Sequence, residues 1–158
     1  MAQFYAVNAA DNENTVPVVK IPVGEGGGRL RVMFDSWVLP ATAPGANDLV
    51  DFCAPLPPNA RLLDVVLVFP AWANSATFSM GWKANETDAA NATGITSALA
   101  VTSAGVYRSL ITDPTNMNKK FNVGSTAAYI PTQLQGKVGT APTNTTGTNY
   151  WQVYFLTD

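Results

Sequence analysis

A chain of 158 residues that is 47% hydrophobic has enough length and apolar material for one buried core without disulfide or metal staples. Its net charge of −2 and its scattered lysines and arginines leave no basic stripe for nucleic acid, and its longest apolar run, near Leu62–Ala73, is broken by Asp64 and Pro70 short of the ~20 residues a spanning helix needs. With no histidine and a single cysteine, Cys53, the Ser-His-Asp, Cys-His and imidazole-zinc classes are excluded, and we expect no catalytic residue, no metal and no cofactor.

In chain order, Gln3–Val7 and Val16–Val23 come first. Pro17 and Pro22 flank the second run, so residues 1–23 are expected to form an extended N-terminal arm, with Phe4, Tyr5 and Val7 as its contacts to a neighbour. The opening MAQFYAVNAADNEN has neither the basic start nor the apolar centre of a signal peptide, which argues for synthesis without export. GEGGG at Gly24–Gly28 lacks the spacing and lysine of a phosphate loop and is a turn or break. A domain over residues 24–158 follows. In the strand Arg29–Leu39, the two arginines Arg29 and Arg31 share a parity opposite to Leu30, Val32 and Phe34, which assigns the arginines to the solvated face. Leu49–Cys53 is the next strand, and its apolar setting makes Cys53 a buried, inert thiol.

The stretch Arg61–Ala84 carries the most information. Its first half is apolar on both parities, with Leu63, Val65, Leu67 and Phe69 on one face and Leu62, Val66 and Val68 on the other, so Leu62, Val66 and Val68 are expected to meet a second subunit. Its second half alternates strictly, placing Ala76, Phe78, Met80 and Trp82 inward. The two halves read as a hairpin, with Trp72 in its connection either as an interface or ligand anchor or as a residue folded back over the sandwich edge. Glu86–Ala100 reads as loop with at most one or two helical turns. Val106–Thr112, Gln133–Val138 and Tyr150–Leu156 are further strands, the last two forming a second hairpin across Gly139–Thr148.

Strands at this spacing, with long connections at Ala41–Ala46 and Glu86–Ala100, predict an all-β fold: an antiparallel β-sandwich, jelly-roll-like, with an immunoglobulin-like sandwich as the structural alternative. Asp35, Asp48, Asp51 and Asp64 are the carboxylates to weigh for glycan hydrolysis. Nothing in their spacing makes two of them converge, and pairing with an arginine is expected instead.

A central RLLDVVLVF strand, an alternating strand ending in Gly81-Trp82, an Ala/Asp/Thr-rich loop, the strand start Ala104–Arg108 and a terminal YWQVYFLTD together resemble the small head decoration, or cement, proteins of tailed bacteriophages. The resemblance covers Arg61–Asp158. It implies a jelly-roll-like domain that forms homotrimers on the outer capsid surface of the virion and clamps neighbouring major capsid protein subunits. The competing reading is a receptor- or glycan-binding knob of a phage head or tail fibre.

Overall fold

A computed structural model describes residues 3–5, 30–73, 75–85, 87–121 and 131–157. The described strands are β1 (Gln3–Tyr5), β2 (Leu30–Val38), β3 (Leu49–Leu56), β4 (Arg61–Phe69), β5 (Thr77–Trp82), β6 (Asn91–Ala100), β7 (Gly105–Arg108), β8 (Thr132–Thr140) and β9 (Thr148–Leu156). One helical turn, α1 (Ser109–Thr112), and a 3-10 turn at Pro114–Asn116 follow β7. The strands form two sheets, ordered β1-β3-β8-β5-β6 and β2-β9-β4-β7. The protein is an all-β antiparallel sandwich, with one parallel pair among the described strands, β1 on β3.

The pairings β2–β9, β3–β8, β4–β7 and β5–β6 nest one within the next about the β5–β6 hairpin. A two-stranded ribbon folded over on itself produces this order. It also corrects both expected hairpins. β4 and β5 lie in opposite sheets, as do β8 and β9, because each connection crosses the sandwich from one layer to the other. Glu86–Ala100 is corrected as well: most of it is strand β6, paired with β5 through two register shifts, one between Asn91 and Thr96 that takes in Gly94 and one between Thr96 and Leu99.

Between the sheets lies one aromatic-rich core. Phe52 stacks on Trp151 at 5.0 Å, and Trp72 meets Trp37 and Phe78 edge-on at 5.9 and 5.3 Å. Ala76, Phe78, Met80 and Trp82 are all buried, as their alternation predicts. Trp82 sits over Phe121 and donates its indole N–H to the Ala89 carbonyl at 3.1 Å. Glycines make room for these rings: a Cβ on Gly136 would lie 2.1 Å from the Phe78 ring, and one on Gly94 would lie 2.2 Å from Trp82.

Two face assignments come out differently from the sequence pattern. In β4, Leu62 pairs with Phe155 and Asp64 with Tyr154, so Leu63 is an extra residue in a bulge. The bulge reverses parity, bringing Leu62 into the core at 0% exposure while Val65, Leu67 and Phe69 remain inward and Val66 and Val68 face out. Leu62 therefore packs inside its own domain instead of against a second subunit. In β2 the inward parity is held by Trp37 in the aromatic cluster and by Asp35, which accepts the Cys53 N–H at 2.6 Å. Arg31 shares that parity and bonds Thr157, while Leu30, Val32, Phe34 and Val38 face out. Arg29, Val7 and the run Val16–Val23 lie outside the described residues.

Candidate functional site

The chemical inventory of the described residues is structural. Each carboxylate weighed for hydrolysis is held by donors of the fold. Asp35 takes the Cys53 and Ser36 N–H groups, Asp48 takes the Gly45 N–H, and buried Asp51 sits between Lys83 and Gln135. Asp64, buried at the bulge, accepts from the Leu110 N–H, the Ser109 hydroxyl and the Arg108 guanidinium, pinning α1 across β4. Burial pushes the Asp64 carboxyl up, but these hydrogen bonds and the Arg108 charge outweigh it and hold its pKa below the usual carboxylate value. The Cys53 thiol is pushed well up, first by burial and then by the charge of Asp35, so it is not a nucleophile. No three acidic or cysteine residues are grouped to hold a metal ion among the described residues.

Of the two readings of Trp72, a surface anchor or a residue folded back over the sandwich edge, the structure overturns the first: Trp72 is a core residue. The connection after Pro70 carries it between the sheets, where it is 1% exposed and donates its indole N–H to Asn149 Oδ1 at 3.2 Å. Its backbone is fastened at both ends, N–H to the Val101 carbonyl and C=O from Thr143 and Asn144. A tryptophan in a loop that crosses a sandwich fills the open end between the layers, which position in sequence does not reveal.

The exposed chemistry lies instead on the outer face of the four-stranded sheet. Phe34, Val38, Tyr150 and Val106 are 60%, 61%, 53% and 66% exposed, and Leu30, Val32 and Val68 join them. The register aligns these side chains in rows: Ser36, Tyr150, Val68 and Val106 form one, and Phe34, Gln152, Val66 and Arg108 the next. Phe34 and Tyr150 are diagonal neighbours that rim an open hollow of about 490 Å³, floored by Ser36, Val68 and Gln152. Leu110 and Ile111 on α1 continue the exposed apolar surface beyond β7. Exposed apolar side chains recur along this face, with Ser36, Gln152 and Arg108 among them.

Of the residues expected at an interface, the sheet thus brings Val66 and Val68 together on this face, and it removes Leu62 and Trp72 to the interior. Phe4 and Tyr5 belong to β1, at the edge of the other sheet, opposite Val50 and Asp51. Leu30, Val32, Phe34, Val38, Val106 and Tyr150 were not singled out from sequence for this role. The signal was present in the alternation of β2, but alternation does not say which parity is outward.

No family model matches the chain, and no curated protein matches it. Among solved structures, a chain in the capsid of Ralstonia phage GP4 is similar over 99% of each chain, with a TM-score of 0.70 and 16% identity. A chain in the cyanophage Pam1 capsid asymmetric unit is similar over 92% of this chain and 97% of that one, with a TM-score of 0.57 and 18% identity. At these identities the likeness is one of fold.

Proposed function

We propose that this chain is a structural component of a phage virion that decorates the outer capsid surface as a homotrimer. It binds across neighbouring major capsid protein subunits and stabilises the shell. The observation that carries the reading is the apolar outer face of the β2-β9-β4-β7 sheet. Antiparallel sheets that turn one face to water keep that face largely polar, so a face with this many exposed apolar side chains fits contact with another protein surface. The likeness of fold, over nearly the whole chain, to chains in two phage capsids supports the same reading. Repetition of a modest contact over a shell multiplies its effect through avidity.

Particles lacking the protein supply the test. Added protein should bind them saturably and raise the temperature at which they release their genome, and Phe34→Asp should abolish both effects. Unchanged particle stability with no saturable binding would overturn the reading.

A second reading, a receptor- or glycan-binding knob, draws on the hollow between Phe34 and Tyr150. Two aromatic faces beside the Gln152 amide and the Ser36 hydroxyl suit a sugar ring. Binding to a glycan array or to cells, with no binding to particles, would favour it.

A further inference from the structure

The edge of β3 is a slot that β1 fills. Val50 and Asp51 are fully buried, and the Asp51 carboxylate is engaged by Lys83 and Gln135, so removing β1 would open this edge to water. The filling strand, Gln3–Tyr5, adds in parallel, whereas every other described pairing is antiparallel. Local chain reversal therefore does not place it there; it arrives through a long connection.

That connection is far longer than the path requires. Tyr5 lies beside Asp51, Asp51 is close along β3 to Cys53, and Cys53 is hydrogen-bonded to Asp35, five residues along β2 from Leu30. Strand spacing and extended-chain lengths bound the distance from Tyr5 to Leu30 at about 40 Å. The chain between these two residues can reach about 85 Å. A domain of this length is about 40 Å across, so the same strand can reach the equivalent slot of an adjacent copy.

We propose that in the assembled protein β1 is exchanged between copies, so that the slot along Leu49–Asp51 of one chain receives Gln3–Tyr5 of its neighbour. Exchange keeps every backbone contact of the slot and converts it into a tie between chains, a low-cost route to an oligomer. Copies held together by the apolar sheet face present the neighbouring slot at a high effective concentration, which favours exchange over closure within one chain. The proposal rests on the self-association in the reading above, and light scattering tests that separately.

The register supplies the experiment. Gln3 and Leu49 are paired, and adjacent strands lie within the Cα separation that a disulfide spans. Full-length chains carrying Gln3→Cys alone and Leu49→Cys alone are co-expressed, oxidised and run on a denaturing gel without reductant, with the double variant alongside. The buried Cys53 stays in place. Exchange predicts a cross-linked pair of chains from the mixed singles and bands at two and three chain masses from the double variant. An oligomer by light scattering whose double variant closes only within single chains overturns exchange and leaves self-association standing. A monomer overturns both, and the absence of any cross-link overturns the pairing itself.

Discussion

At the scale of single residues, burial separates side chains that the sequence treats alike. Trp82 and Trp72 both lie in the core, so alanine at either position should cost about 3–5 kcal/mol in chemical denaturation. Trp72→Ala also strips Asn149 of the indole donor, so it should be no milder than Trp82→Ala; a parent-like melting curve for Trp72→Ala would contradict its placement. Gly136→Ala drives a methyl into the Phe78 ring within a central strand and should destabilise by about 1–3 kcal/mol. Asp64 makes stability depend on acid. Its folded pKa lies below the unfolded value of about 3.9, so its contribution is present above that pH and is lost as pH falls through the lower folded value. Asp64→Asn should lower the melting temperature at neutral pH and flatten the loss of stability in acid, measured by thermal unfolding between neutral pH and the acid limit.

At the scale of elements, β2 and β4 show how a strand's two faces acquire different fates. Outward Phe34 should tolerate replacement by aspartate with a stability change within about 0.5 kcal/mol. The same change should weaken self-association by about tenfold or more, as loss of a central aromatic contact does. Inward Leu62 should behave in the opposite way. Leu62→Ala should cost about 2–5 kcal/mol, with any effect on association following from unfolding alone. Sedimentation and urea unfolding on the two variants read both quantities, and a crossed result would mean that the face assignments of β2 and β4 are both wrong.

For the whole molecule, the buried hydrophobic core among the described residues begins at Trp37, and the described strand before β2 is the three-residue β1. Deleting residues 1–14 should therefore leave a cooperatively folding domain with weaker binding to particles or neighbours. Circular dichroism melts and particle co-sedimentation check the two halves of this expectation, and an unfolded product would place the arm within the folding unit. The nested pairing of strands also means that no single hairpin beyond β5–β6 is complete by itself. A break in any crossing connection should lower stability without leaving a folded half.

The sequence by itself determined the all-β class, the inward face of β5 and the inert setting of Cys53, because strand periodicity and residue chemistry are local properties. The absence of histidine likewise limited the chemistry before any fold was known. Only the tertiary structure decided which strands pair and which parity of β2 and β4 meets water. A ribbon folded over on itself joins residues far apart in the chain, and one extra residue in β4, Leu63, moves Leu62 to the other face. Trp72 makes the same point within one side chain: a loop tryptophan is a surface anchor or a core plug according to whether its connection runs along one sheet or crosses between two.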